Sequence, residues 1–600
     1  MANNTMPTRA GTSRRALLAS VPALAGAASL ASFTSAQAQS FTRVRPGMPG
    51  WPTDADWASL RQMVEGRLAP VTVPQLSPEE APKLLSNPFY IGDQAGLTQS
   101  SGWLDAWRSA PSAYVVRAEN AADVSAAVRF ASAHKLRLVV KGGGHSYMGG
   151  SNAPDSLLVW TRAMEKIEVL DAFVPQGSTA APVPAVSVGA GCLWGRVYDV
   201  VTTGHGRYVQ GGGCTTVGVA GLVQGGGFGS FSKTYGIACA GLLEAEIVTA
   251  DGKIRIVNAA QEPDLYWALK GGGGGTFGII TRMTLATHDL PTTFGLAEWS
   301  VKAKSDEAFH RLLAKFIDVY ATSLFNPHWG EQVAANPSNS LSVQMLYAGP
   351  DGAAAKAAWA PLADYVAAHP EDYQAKPLNV ATIPPRFFWD GAILGAAAPG
   401  AIRHDTRPDA RPRDFWWTGN TTEAGTFWHG YSSVWMPQSL LEPDNRTKLV
   451  DAWFAASRHW QTAFHFNKGL GGSTDAVRAA ARETATNPEV ADAFALAIMG
   501  MDGPSVYPPL PQEKGMLLFA RGDAASIHKA SELMRQAAPG AGCYMSECDY
   551  FNPDWRRASW GPHADRLEAI KRRYDPDGLF IVHHGVGSQG WSADGFARVS

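Results

Sequence analysis

The chain has 600 residues, 45% of them hydrophobic and 17% charged, which is more apolar material than one core of about 250–300 residues absorbs. A formal net charge of −2 leaves no basic surplus for gripping a phosphate backbone and argues against nucleic acid as a partner. Five cysteines, few and odd in number, do not make a disulfide framework.

Residues 1–38 read as an export signal. Arg9 and Ser13-Arg14-Arg15 form a basic opening, Ala16 to Ala31 is small and apolar, and Ala36-Gln37-Ala38 offers a cleavage site. The paired arginines fit the twin-arginine type, which carries folded proteins. The Ala-Leu-Leu-Ala that follows lacks the usual aromatic residue and lysine, and the alternative is an ordinary secretory signal. Neither this stretch nor any later one supplies the roughly 20 apolar residues of a spanning helix. A periplasmic or secreted protein with no membrane span is expected.

Residues 39–106 form an approach segment, Pro-rich from Pro46 to Pro78, with few periodic patterns, and are expected to wrap the surface. Over 107–290 strands and a helix alternate. Tyr114–Arg117 reads as a strand, Asn120 to His134 as a helix with Ala, Val and Phe on one face, and Leu136 to Val140 as a strand running into glycines. Val186-Ser-Val188, Ala245 to Val248, Ile254 to Val257 and Ile279 to Met283 continue the strands, with Asp251-Gly252 as a hairpin turn. Over 291–540 the composition turns aromatic and helical, with Trp416, Trp417, Trp428, Tyr431 and Trp435 close together, and a second domain is expected. The stretch 541–600 is too short to stand alone and should pack back on the first domain.

Glycine runs mark the chemistry. Lys141-Gly-Gly-Gly-His-Ser-Tyr147, Gly211-Gly-Gly-Cys-Thr-Thr-Val-Gly218 and Gly225-Gly-Gly-Phe-Gly229 let backbone N–H groups converge on an anion such as the pyrophosphate of a dinucleotide. A single run would read as a flexible loop; three around His145 and Cys214 read as a cofactor cradle. The run Gly271 to Gly275, before Thr276-Phe-Gly-Ile-Ile-Thr281, reads as a further cofactor-contacting turn. No Gly-x-Gly-x-x-Gly stands between an early strand and helix, which disfavours a Rossmann fold.

These segments, with Trp560-Gly-Pro-His563 and Tyr574-Asp-Pro-Asp-Gly-Leu-Phe580, resemble the berberine-bridge-enzyme-like oxidases of the vanillyl-alcohol-oxidase superfamily. The resemblance implies an α+β fold: a two-part p-cresol-methylhydroxylase-type FAD-binding domain, plus a substrate domain with an antiparallel sheet covered by helices. It implies FAD bonded through its 8α-methyl to His145 and through C6 to Cys214. Lys141, Gly142, Gly143, Gly144, Ser146, Gly213, Thr215, Val217, Gly218, Gly221, Gly225, Gly226, Gly278 and Ile279 are the other implied cofactor contacts. Cysteine must attack as thiolate, so a nest of glycine N–H groups is expected to lower the Cys214 pKa below about 8.5. Cys543 and Cys548 either pair or stay free thiols.

The chain departs from the family pattern in places. Thr215 stands where proline is usual. Phe228 occupies the place of a tyrosine base in some plant members. Val217 sits at the position that gates oxygen, where valine points to an oxidase rather than a dehydrogenase. The usual Tyr-x-Asn becomes Tyr544-Met-Ser546. Oxidation of an alcohol needs a base for the hydroxyl proton while hydride leaves carbon for flavin N5, and Tyr544 is the first candidate, Glu547 the second. His583-His584 resembles a metal pair, but adjacent histidines on a strand point apart and no third ligand completes a site; no metal is expected. The aromatic group would let one or two of Trp416, Trp417, Tyr431 and Trp435 stack on a substrate ring. An oligosaccharide oxidised at its anomeric carbon, with O2 as acceptor, is the leading substrate reading. Phenolic, alkaloid or polyketide alcohols, or an acceptor-dependent dehydrogenase, are the alternatives within the enzyme class, and a periplasmic binding protein or a structural flavoprotein without turnover are the alternatives outside it.

Overall fold

A computed structural model describes residues 41–510 and 515–599; the expected export signal lies outside the described residues. The Pro-rich approach segment is more ordered than its composition suggests. Asp54–Met63 is a helix whose N-cap Thr53 and Asp56 satisfy each other's backbone N–H groups. Its buried Trp57 stacks on Tyr114 at 4.0 Å. The same segment gives Leu68–Pro70 to one sheet and Ser100–Trp103 to another, so it threads the molecule rather than wrapping it. Short strands pair through the backbone and leave little side-chain period to read.

The first sheet runs Leu68–Pro70, Tyr114–Arg117, Ser156–Trp160, Arg137–Lys141, the last three parallel. The crossover helix Ala121–Ala133 starts at Asn120, whose side chain accepts from the Asp123 N–H at 3.0 Å. It buries Val124, Ala127, Val128 and Ala131. The second sheet is antiparallel: Ile254–Asn258, Leu242–Val248, Ile279–Asp289, Val183–Gly189 and Ile167–Phe173 in that order, with Arg207–Val209 on the far end of Ile279–Asp289. Its Asp251-Gly252 hairpin needs the glycine, at φ +72°.

Residues 291–540 build most of a third, ten-stranded sheet. Its long strands Phe294–Ala303, Ser340–Ala348, Trp329–Asn336, Ala493–Gly503 and Thr426–Pro437 are antiparallel, and Ser100–Trp103 joins Thr426–Pro437 in parallel. Alternate residues of Phe294–Ala303 are buried, the mark of a strand with one covered face. The helical look of this region comes from Ala-rich helices such as Gly352–Ala368, which hide the strands between them. From the C-terminal stretch, Trp560, Leu567, Ile570, Tyr574 and Phe580 enter the core shared with the two smaller sheets.

Three buried lysines fasten chain crossings. Lys141 Nζ donates to the carbonyls of Gln94, Ala95 and Leu97 at 2.9, 2.6 and 2.9 Å. Lys233 Nζ donates to those of Gly469, Gly471 and Phe494. Lys571 Nζ donates to Thr276 O and Phe580 O, both at 2.6 Å, and to the Asp575 carboxylate. An ammonium has three donors, and here each is used.

Candidate active site

The strand Arg137–Lys141 ends at the first glycine run, and sterics decide what that run touches. A Cβ on Gly143 would stand 2.7 Å from Gly218 N and 3.0 Å from Thr216 O; one on Gly218 would stand 2.8 Å from Gly143 N. Two backbones therefore lie against each other where only glycines allow it. The second loop is held from behind: Trp194 N donates to Val217 O at 3.1 Å, Gly195 N to Thr215 O at 2.8 Å, and Val219 N to Cys192 O at 3.0 Å. This contact carries His145 to Cys214. Thr216 Oγ1 lies between them, 3.1 Å from His145 Nε2 and 3.5 Å from Cys214 Sγ.

A third group stands there that the sequence did not single out. His145, Cys214 and Glu423 present N, S and O atoms all within 4.8 Å of one another, each residue half-buried. Burial lowers the His145 pKa to about 4, so its imidazole is neutral, with Nε2 hydrogen-bonded to Thr216. Cys214 goes the other way from the expected depression. Burial and the Glu423 charge raise its thiol to about 12, outweighing hydrogen bonds from Thr216 and Val217. Glu423, held by Asn420 Nδ2 at 2.8 Å, is itself raised to about 7 by burial, with Glu547 and Asp502 adding and Asn420 and Lys468 opposing.

The remaining implied cofactor residues divide by what holds them. Gly221 has nothing within 4 Å of an added Cβ, and Gly274 has only Gly221 Cα at 3.7 Å and the Gln224 side chain. The buried Gln224 Oε1 meets no donor in the protein. Open space lined by glycines, with an acceptor still waiting for an N–H or O–H, fits a dinucleotide. Gly213 likewise has open space, with Glu331 Oε1 at 4.0 Å. Gly142 opens the first loop, Gly144 takes φ +78°, and the Ser146 hydroxyl accepts from Gly150 N at 3.1 Å. Gly225 faces Ser546 Oγ, 2.6 Å from an added Cβ, and Gly226 takes φ +104°. At Gly278 the demand comes from Val248 O, 2.5 Å from an added Cβ, and Ile279 is buried in the sheet. Two expectations change. Lys141 spends its ammonium on three carbonyls and has no donor left for a cofactor. Thr215 turns its hydroxyl away, donating to Phe415 O at 2.6 Å, a bond the usual proline could not make.

The opposite wall is polar. Glu547 is paired with the Lys468 ammonium and accepts from the Tyr431 hydroxyl at 3.4 Å. Ser433 Oγ donates to Glu547 O at 2.5 Å, which pins the turn. Tyr544 packs edge-on against Phe228, centroids 4.9 Å apart. Burial and the neighbouring Glu547 push its phenol well above the ordinary value, so of the two candidate bases Glu547 is the better placed and Tyr544 the worse. Glu331, in left-handed backbone at φ +65° within its strand, accepts from Ser230 Oγ at 2.6 Å, and burial raises its pKa. Of the aromatic group, Tyr431 reaches Glu547, and Trp417 Nε1 donates to Gly213 O at 3.0 Å beside Cys214. Trp416 and Trp435 are buried, Trp435 against Phe228. His583 and His584 lie in a turn, not on a strand, and stack on each other at 3.9 Å rather than pointing apart. His584 adopts φ +54° to do so. Cys543 and Cys548 are free, buried thiols, and Cys548 Sγ donates to Met545 O at 3.4 Å.

Glycine loops that bring His145 and Cys214 together, faced by an acid–base wall carried largely by the mostly antiparallel large sheet, mark a dinucleotide-dependent oxidoreductase of the vanillyl-alcohol-oxidase type. The FAD binding domain model matches residues 111–258, and the model for berberine and berberine-like proteins matches 543–587. The FAD-linked oxidoreductase malF of Malbranchea aurantiaca is 30% identical over 589 residues, covering 91% of this chain and 92% of that protein. The chain belongs to this berberine-bridge-like family of FAD-linked oxidoreductases. Among solved structures, the VAO-type flavoprotein MtVAO615 of Myceliophthora thermophila C1 shares the fold with a TM-score of 0.73 at 24% identity, covering 93% of this chain and 100% of its own. Glucooligosaccharide oxidase of Acremonium strictum, whose FAD is 6-S-cysteinyl and 8α-N1-histidyl, matches with a TM-score of 0.61 at 19% identity, covering 88% and 99%. No helix among the described residues is long and apolar enough to cross a membrane.

Proposed function

We propose that this protein is an exported oxidase that carries FAD on both His145 and Cys214. It removes hydride from the anomeric carbon of an oligosaccharide, giving a lactone, and passes the electrons to O2. The observation that carries this reading is the approach of His145 and Cys214 across the Gly143–Gly218 contact. The doubly linked FAD of the Acremonium oxidase supports the tethering and the substrate class. When bound, FAD supplies the hydride acceptor.

The chain's own residues supply the rest. His145 is uncharged through the neutral range and so offers nitrogen without first losing a proton. The Glu547 carboxylate, ion-paired with the Lys468 ammonium, takes the substrate hydroxyl proton. Trp417, bonded to Gly213 O beside Cys214, and Tyr431, bonded to Glu547, are the aromatic side chains nearest the site and the ones a sugar ring would stack on. Val217, in the Cys214 loop, supports oxygen as acceptor, and the twin-arginine pattern in residues 1–38 supports export of the folded, loaded protein. The test is acid denaturation followed by peptide mass analysis, then a peroxidase-coupled assay over oligosaccharides, aryl alcohols and alkaloids. Pigment retained on peptides containing His145 and Cys214, with peroxide formed on oligosaccharides, is expected. Pigment released freely by acid overturns the tethering; peroxide formed only on aryl alcohols or alkaloids overturns the substrate class.

A further inference from the structure

Glu423 closes the short turn Thr418–Glu423 that leads into the strand Thr426–Pro437, and so comes from the substrate half of the molecule. Its carboxylate nevertheless lies within 4.8 Å of both His145 and Cys214, fixed there by Asn420. We propose that the Glu423 carboxylate is the base that takes the thiol proton of Cys214 as the second flavin tether forms. The proposal rests on the doubly tethered reading above.

The geometry leaves a defined task. His145 attacks through a lone pair and needs no prior deprotonation, but Cys214 reacts only as thiolate, and its surroundings hold the proton on sulfur. Neighbouring groups are already committed. Glu547 is bound to Lys468, and burial holds the phenols of Tyr147, Tyr431 and Tyr544 protonated. The Thr216 hydroxyl, 3.5 Å from Sγ, has no basicity of its own. Part of what raises the thiol is the charge on Glu423. Moving the proton from sulfur to that carboxylate removes the repulsion as the thiolate appears, so the transfer within the pair costs less than the two separate pKa values suggest.

The balance is complete with O2. The S–H bond breaks and its proton passes to Glu423; sulfur forms a bond to flavin C6, and the C6 hydrogen leaves as a second proton. The two electrons left on the flavin go with two protons to O2, giving hydrogen peroxide. Cys214 sulfur and flavin carbon end bonded, and one O2 is consumed per tether.

The experiment compares wild type, Glu423→Gln and Glu423→Asp, each followed by mass analysis of the peptides that contain His145 and Cys214 during reconstitution with FAD in air. Glu423→Gln is expected to keep the His145 adduct, which reports a folded pocket, while thioether formation at Cys214 slows by about 10²-fold, the lower end for loss of a positioned base. Glu423→Asp should recover part of the rate. A Cys214 adduct formed by Glu423→Gln at the wild-type rate overturns the role of Glu423 alone; a wild type with no Cys214 adduct overturns the double tether and this proposal with it. If Glu423→Gln yields no soluble protein, Glu423→Asp, which keeps the carboxylate on a shorter arm, is read instead: slower thioether formation with the His145 adduct kept supports the role, an unchanged rate overturns it.

Discussion

The two sides of the cleft are built on different terms. The flavin side is made of loops whose residues are close in sequence and whose contacts are backbone against backbone, as where Gly143 meets Gly218. The opposite wall gathers Glu331, Glu423, Tyr431, Lys468 and Glu547 from four separate stretches of chain, and its contacts are side chain against side chain, an ion pair and hydrogen bonds to carboxylates. The first side makes a shape that suits one cofactor, and the second sets the protonation states. A substitution on one side should therefore change what is attached, and on the other what is turned over.

The sharpest test of that division is the double substitution His145→Ala with Cys214→Ala. It should abolish covalent flavin altogether, read as complete release of pigment on acid precipitation, with the Glu547–Lys468 wall intact. Next in size, Glu547→Gln should leave the flavin attached and lower kcat/KM by about 10²–10⁴-fold, the range for loss of a general base; a loss within a few fold would remove Glu547 from the chemistry. Gly143→Ala crosses the divide. It forces apart the loops that juxtapose His145 and Cys214, and should cost about 1–3 kcal/mol of stability together with Cys214 attachment, measured by denaturant unfolding and by mass.

The smallest effect is one of pH. In flavin-free protein Glu423 titrates near 7 rather than at 4.5. Between those values the unfolded chain binds fewer protons than the folded one, and this contribution to stability falls as pH rises through the window. His145, lowered from 6.5 to about 4, acts in the opposite sense: its contribution is present above 6.5 and lost as pH falls toward 4. Glu423→Gln should remove the first trend and leave the second, giving a melting temperature that climbs more steeply from pH 4.5 to 7 than in wild type. Parallel curves for the two proteins would mean that Glu423 is ionised in the fold.

The contrast also explains what could be read beforehand. His145, Cys214 and the glycine runs were legible because close backbone approach admits few residue types, and a local rule leaves a local mark. The helix capped by Asn120 and the hairpin at Asp251-Gly252 were legible for the same reason. Glu423, Lys468 and Glu331 carry no such mark, since a glutamate or lysine in a sequence of this length looks like any solvated charge until topology buries it. Tyr544 looked the better base from its place in the motif, and only its neighbours Phe228 and Glu547 reverse the order. Thr215 was legible as a departure from proline, but its purpose, a bond to Phe415 O, lies 200 residues away. Lys141 adjoins the glycine run and lays its stem against Gly144, but its ammonium goes to the carbonyls of Gln94, Ala95 and Leu97, a destination no local pattern marks.

The lysines at 141, 233 and 571 have a consequence of their own. Each asks for a compact charge on a slender, bendable arm; arginine, broad and planar, cannot bring three bonds to one point. The polypeptide thus closes three of its seams with buried amines, even though burial pulls the lysines at 141 and 233 down to about 7 and lowers the one at 571. Such clasps, shut away from mobile ions, are screened far less than exterior pairs, and should keep their grip in brine as in dilute buffer.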